Sequence, residues 1–282
     1  MTTSGAAGSE VLAAQPRALI VTIFGLYARE AGGWLSIAAL IRLMAELSVD
    51  EPAVRSAISR LKLRGLLEPR REGGLAGYGL SGRGSEILAE GDRRIFQRPR
   101  ASSSEGWLLA VFSVPEQERA RRHALRSRLA WLGFGTVSAG VWIAPAQLAG
   151  ETRDVLAAGG LSSYVSLFTA GCLAYGDVRE KVGQWWDLDR LEQLYQAFTD
   201  SAAPVLAYWQ DGADDPGRAF ADYVRVLTAW RRLPFLDPGL PPELLPSDWH
   251  GSRAAELFLQ LRACLGEQAR EHVLVVTGRS AS

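Results

Sequence analysis

Asp50-Glu-Pro-Ala-Val-Arg-Ser-Ala-Ile-Ser-Arg-Leu-Lys-Leu-Arg-Gly65 is the stretch that decides how this chain folds. Asp50 suits a helix N-cap, because its carboxylate can accept from the unpaired backbone N–H groups of the first turn. Pro52 is tolerated in that turn, and Gly65 stands where a chain leaving a helix turns left-handed. A helix is therefore expected over about Glu51–Arg64. At 100° per residue, Val54, Ala57, Ile58 and Leu61 share an arc of about 100° and must face a core. Arg55, Ser56, Ser59, Arg60 and Lys62 fall on the opposite arc. That arc is basic and small-polar, with no carboxylate past the first turn.

Upstream, Pro16 opens a first helix with Leu19, Ile20, Ile23, Phe24 and Tyr27 at helical spacing, broken by Gly32-Gly33. Ser36 then caps a second helix, Ile37 to Leu47, with Leu40, Ile41, Met44 and Leu47 as its inner face. Ser48-Val49 leaves only a short turn before Asp50. Two helices joined by a tight turn, the second with a basic outward face, make a helix-turn-helix. Downstream, two strand-like runs flank Gly73-Gly-Leu-Ala-Gly77, so a hairpin is expected with Arg70 and Arg71 near its tip. Helix, helix, helix, hairpin is the order of a winged helix-turn-helix.

On DNA such a helix enters the major groove. Arg can make two hydrogen bonds to guanine O6 and N7, whereas Asn or Gln would pair with adenine. The chain has no Asn, and no Gln lies between residues 16 and 96. Direct readout is thus expected to favour guanine, through Arg55 or Arg60. Ser56 and Ser59 are short enough to meet phosphate or either base. Arg70, Arg71 and Tyr78 on the wing would contact backbone or minor groove and set register.

Charge distribution agrees. The 282 residues have a net charge of zero, but residues 17–100 carry 14 Lys/Arg against 9 Asp/Glu, and residues 183–282 carry 9 against 14. One end suits a polyanion and the other does not. Cys172 and Cys264 form no CxxC pair and no disulfide framework, which fits a reducing cytoplasm, and Cys172 is expected to be a buried thiol. No apolar run reaches the roughly 18 residues of a membrane helix.

The organisation expected is a disordered lead-in over 1–15, the winged helix over 16–96, and a Pro/Ser/Gly linker over 97–106. A β-α-β-β-α-β domain of ferredoxin-like order follows over 107–182, and a helical domain over 183–282. In the central domain, strands are read at Trp107–Val114, Phe134–Val137, Val141–Ala144 and Tyr164–Phe168. Helices are read at Glu116–Leu132 and Gln147–Ala157. Amphipathic helices follow at Asp187–Ser201, Gly217–Arg232 and Ser252–Gly266. Trp185, Trp186, Trp209, Trp230 and Trp249 are read as core. The whole is an α+β multidomain chain.

Several longer motifs resemble one family. Pro16-Arg-Ala-Leu-Ile-Val-Thr-Ile-Phe-Gly25 is similar to its opening helix. Val54-Arg55, Ser59-Arg60-Leu61 and Gly65-Leu-Leu67 are similar to its recognition helix and wing entry. Trp107 to Glu116, Arg126 to Gly135 and Gly140 to Pro145 resemble its central domain. Trp186-Asp-Leu-Asp189 and Leu244-Leu-Pro-Ser-Asp-Trp249 resemble its C-terminal markers. The resemblance, over about residues 16–265, is to the phenylacetic-acid degradation repressor (PaaX) family of bacterial transcriptional regulators. It implies a homodimer on a partly palindromic operator, and release by phenylacetyl-CoA or another aryl- or acyl-CoA thioester. It also implies a central domain like the small CRISPR-associated nuclease of the adaptation complex. Those nucleases carry an Asp near the end of the first strand, where this chain has Phe112-Ser-Val-Pro115, so a structural or dimerisation role is expected instead. Arg119, Arg122 and Arg126, on the expected Glu116–Leu132 helix, are candidates for the phosphates of a CoA effector.

Catalytic motifs are scarce. GxSxG, a Walker sequence and HExxH are all missing, and His123, His250 and His272 are scattered. Asp211, Asp214 and Asp215 lack the twelve-residue loop of a calcium site. No cofactor is expected. The alternative class is an acyl-CoA-binding enzyme, or a nucleic-acid-processing protein built on the ferredoxin-like domain.

Overall fold

The structure is a computed structural model that describes residues 14–29, 32–97, 100–172 and 176–278. The lead-in expected over 1–15 lies outside the described residues as far as 13, and two residues of the expected linker, 98 and 99, also lie outside them. The chain is α+β, with two small antiparallel sheets among many helices. It divides into two compact units. One comprises Met1–Ile95, Tyr195–Arg231 and Gly251–Ser282, and the other Phe96–Leu194 and Arg232–His250.

The first unit opens with α1 (Pro16–Ile23), continued by a wider π turn over Phe24–Ala28. A short strand, β1 (Trp34–Ser36), precedes α2 (Ile37–Glu46), whose N-terminal amide at Ala39 donates to the Ser36 hydroxyl. Ser48 takes φ of 61° in the turn that follows. Next comes α3 (Glu51–Leu63), capped by Asp50, whose carboxylate accepts from the Ala53 N–H. The strands β2 (Leu67–Glu72) and β3 (Leu75–Leu80) form a hairpin, and β1 adds to β3, giving the order β1-β3-β2. Gly73 and Gly74, at φ of 55° and 79°, make the turn that a side chain would strain. Gly77 is needed for another reason. A Cβ there would lie 2.3 Å from the Leu35 carbonyl oxygen and 2.6 Å from the Trp34 ring. The ring lies across the sheet at that point, and its Nε1 donates to the Arg70 carbonyl. Then α4 (Gly82–Asp92) starts at Ser81, whose hydroxyl donates to the Gly65 carbonyl at the end of α3.

In the second unit the β-α-β-β-α-β succession expected over 107–182 is present. It runs β4 (Trp107–Phe112), α5 (Arg119–Trp131), β5 (Gly135–Ser138), β6 (Val141–Pro145), α6 (Ala149–Ala158) and β7 (Val165–Ala170), in sheet order β5-β6-β4-β7. Leu108, Ala110 and Phe112 of β4 alternate onto one face, where Leu125, Leu129 and Leu156 of the two helices bury them. The helix α7 (Val178–Trp185) follows. Trp186 sits over Gly135, and its Nε1 donates to the Gly133 carbonyl.

The remaining helices are α8 (Leu188–Gln210), α9 (Pro216–Trp230), the four-residue α10 (Leu233–Leu236) and α11 (His250–Thr277). In the first unit Trp230 stacks on Phe258 at 4.8 Å and meets Phe198 at 5.3 Å, so Trp230 is core as expected. Trp209 and Trp249 are buried, while Trp185 and Trp186 are half-buried.

Several expectations need correction. Strand β1 and helices α4 and α7 come in addition to the expected elements: β1 is three residues long, α4 carries three glycines and α7 spans only eight residues. Leu43 takes the inner place given to Ile41, which is half-buried. The helix expected to end at Ser201 passes through Pro204 to Gln210, and the last helix runs past Gly266 to Thr277. In both, buried residues beyond the expected end (Leu206 and Trp209, Ala269 and Val273) hold the longer helix in place against its breakers. Cys172 is exposed rather than buried, because it lies beyond the end of the edge strand β7.

Candidate nucleic-acid interface

The faces of α3 separate cleanly. Val54, Ala57, Ile58 and Leu61 are buried, while Arg55, Ser56, Ser59, Arg60 and Lys62 are exposed. Burial of four apolar side chains on one stripe fixes the rotation of the helix about its axis, so the basic stripe has to point outward. The caps at both ends fix its length.

The hairpin closes one side of this face. A cleft of ≈ 510 Å³ is lined by Ile37 and Arg55 on the helical side, and by Pro69, Arg70, Arg71, Ala76, Gly77 and Tyr78 on the hairpin. Lys62 bridges the two, with its Nζ 5.9 Å from the centroid of the Tyr78 ring. Of the residues singled out from the sequence, Arg55, Arg70, Arg71 and Tyr78 therefore line one concave, basic surface with Lys62 beside it, while Ser56, Ser59 and Arg60 are exposed on α3 outside that lining. Their roles within it differ. The Arg55 guanidinium lies 2.6 Å from Glu51 one turn away, both side chains being half or more exposed. Arg70 pairs with Glu72 at 2.9 Å and donates to the Gly32 carbonyl, so part of its work is to hold the hairpin. Arg71 is exposed on the same surface, and Arg60 is exposed on the outward side of α3. Exposed pairs such as Arg55–Glu51 contribute about 0–1 kcal/mol and can exchange for a phosphate or a base edge.

Helices distant in sequence brace this surface from behind. The Thr22 and Thr228 hydroxyls, both buried, share a hydrogen bond of 2.7 Å between α1 and α9. Arg231 donates to the Ala18 carbonyl. On α2, Glu46 pairs with His272 of α11 at 2.8 Å, and Arg42 donates to the Val276 carbonyl. Sequence patterning shows each helix but not these partners, which are more than 200 residues apart.

Three family models match in chain order. They are described as PaaX-like protein (residues 15–84), PaaX protein central Cas2-like domain (100–182) and PaaX-like protein C-terminal domain (186–275). The chain belongs to the PaaX family. Among curated relatives of this PaaX-family chain is the transcriptional repressor PaaX of Escherichia coli (strain K12). It is 27% identical over 248 residues, covering 86% of this chain and 78% of that one. Among solved structures, the uncharacterized protein Rv0674 from Mycobacterium tuberculosis matches with a TM-score of 0.53 and 25% identity. The match covers 88% of this chain and 99% of that one. The family models and the named repressor place the chain among transcriptional regulators. No helix among the described residues is long and apolar enough to cross a membrane.

The arginines of α5 sit differently. Arg119 and Arg122 both reach back to Glu116, at 2.6 and 3.0 Å, and Arg122 also donates to the Val114 carbonyl. Their hydrogen bonds, that of Arg119 first, hold the Glu116 carboxyl below its usual range. Arg126 lies 5.9 Å from the Trp142 ring centroid. His123 is exposed. Asp215 serves as the N-cap of α9. Among the described residues no group of three or more His, Cys, Asp or Glu is gathered to hold a metal.

Two residues of the α3 face were not singled out from the sequence. Arg64 is exposed at its C-cap, and Leu63 is 86% exposed. The available signal was the helical wheel itself, carried two residues past Lys62.

Proposed function

We propose that this chain is a cytoplasmic transcriptional repressor that binds operator DNA as a homodimer through a winged helix-turn-helix formed by α2, α3 and the β2–β3 hairpin. The observation that carries this is the joining of Arg55 on α3 and the hairpin arginines around one basic cleft, next to an outward α3 face that is exposed and basic. In this reading α3 enters the major groove, Arg55 and Arg60 contact guanine, and Ser56, Ser59 and Lys62 contact backbone or base edges. Arg70, Arg71 and Tyr78 seat the hairpin on the flanking phosphates and set register. The protein acts as a regulator and not as an enzyme, and the named repressor among its relatives supports the sign of regulation. Family resemblance further suggests control of an aromatic-acid operon of the phenylacetate type, with release by an aryl-CoA or acyl-CoA thioester.

The test is fluorescence anisotropy on the gene's own promoter and on a scrambled duplex, at rising salt. The expected result is tighter binding to the promoter, with log K falling linearly against log salt as counterions are released. Equal affinity for the two duplexes would reject the reading. Adding phenylacetyl-CoA is expected to weaken promoter binding, because an effector shifts a two-state equilibrium only by binding one state better. No response to any aryl- or acyl-CoA would remove the effector and leave DNA binding in place.

A further inference from the structure

We propose that Leu63 is a base-reading residue that recognises the 5-methyl group of a thymine in the major groove. The proposal rests on the DNA-binding reading above and adds a second chemistry to it.

Leu63 is the most exposed large hydrophobic side chain among the described residues, at 86%. Its position matters more than its exposure, since single apolar residues on a surface are ordinary. The buried arc of α3 is centred between Val54, Ala57, Ile58 and Leu61. At 100° per residue, Ser56, Ser59 and Leu63 lie within about 30° of the point opposite that centre. Leu63 is the closest of the three to it. These residues form one straight stripe at spacings of three and four. Exposed Arg55 and Lys62 flank the stripe on one side, and exposed Arg60 and Arg64 on the other.

This combination selects its occupant. An apolar protein surface would have to meet four cations around a single leucine. The major groove instead offers two rows of phosphates at its edges and, on its floor, the one apolar group of the base edges, the thymine methyl. The serines at 56 and 59 are short, so the helix backbone can approach the floor closely enough for a leucine to touch it. From Ser56 to Leu63 is two helical turns, ~10 Å along the axis. That spans about three base-pair steps, so the thymine is expected about three pairs from the base facing Ser56. Arginine contacts to guanine then read one part of each half-site, and Leu63 reads an adjacent part that carries no hydrogen-bonding requirement.

The experiment uses the full-length protein and the promoter duplex that it protects from cleavage. Each thymine in the protected region is replaced in turn by uracil, which removes only the 5-methyl and keeps the pairing edge. Wild type and Leu63→Ala are compared on every duplex. At 86% exposure, Leu63→Ala is expected to fold normally, which circular dichroism checks. For wild type, one thymine in each half-site is expected to show about a fourfold loss of affinity on conversion to uracil, the size of one buried methyl. For Leu63→Ala, the same conversion should change nothing. Uracil losses that are equal in the two proteins, or absent in wild type although the promoter is still preferred over scrambled DNA, would overturn the proposal. Loss of promoter preference in wild type would sink the DNA-binding reading first, and this one with it.

Discussion

The chain has two basic helices of 13 residues, α3 and α5, and they do different things with their charge. On α5, Glu116 draws Arg119 and Arg122 together at the start of the helix, and the Val114 carbonyl takes a further hydrogen bond from Arg122. The charge of these two goes into closing the connection between β4 and α5. On α3 the sole acidic residue of the first turn, Glu51, meets Arg55, its one partner among the described residues. Arg60, Lys62 and Arg64 stand exposed, and Arg55 lines a cleft whose far wall is also basic. Counting arginines would favour the wrong helix, since α5 has five and α3 only two. What separates them is where the nearest carboxylate sits and whether a second element supplies more positive charge opposite.

That contrast can be broken by mutation. The largest expected effect is that of Arg60→Ala or Arg55→Ala, which should lose about 1–3 kcal/mol of discrimination at one guanine per half-site. Competition binding with single-base operator variants measures it. The double change Arg70→Ala and Arg71→Ala should weaken binding to promoter and scrambled DNA alike, and flatten the salt slope by about one unit for each phosphate that is no longer neutralised. Asp50→Ala removes the N-cap of α3 and should cost about 1 kcal/mol in thermal or urea unfolding, with a matching loss of operator affinity. Arg119→Ala and Arg122→Ala should leave operator affinity unchanged.

The smallest effect concerns pH. Glu116 has a folded-state value lowered by Arg119 and Arg122. A lowered carboxylate adds stability above its unfolded-state value and loses it as pH falls through the lower, folded one. Glu116→Gln should therefore flatten the acid side of the stability curve below the ordinary carboxylate range, and leave neutral-pH binding alone.

Sequence patterning carried most of what positions α3. The cap at Asp50, the stripe of Val54, Ala57, Ile58 and Leu61, and the glycines of the hairpin are local signals, and each one fixes a local geometry. The central β-α-β-β-α-β order was legible for the same reason, since its strands and helices switch cleanly between periods. What stayed hidden was non-local. Strand β1 is three residues long and exists because Trp34 crosses Gly77. Helix α8 passes Pro204 because its far end is buried at Leu206 and Trp209. The C-terminal helices divide between the two units, which no contiguous reading of 183–282 shows. At the site, the pairing of Arg55 with Glu51 follows from i,i+4 spacing, whereas the hydrogen bond from Arg70 to the Gly32 carbonyl depends on the folded sheet.

The central claim is that α3 reads guanine from the major groove. Methylation interference on the promoter duplex tests it most directly, because dimethyl sulfate marks guanine N7 in the major groove and adenine N3 in the minor groove. Wild-type protein should be excluded by N7 methylation of at least one guanine in each half-site, and Arg55→Ala or Arg60→Ala should lose that sensitivity at the corresponding guanine. Interference confined to adenine N3, or a guanine pattern identical in wild type and both variants, would contradict it.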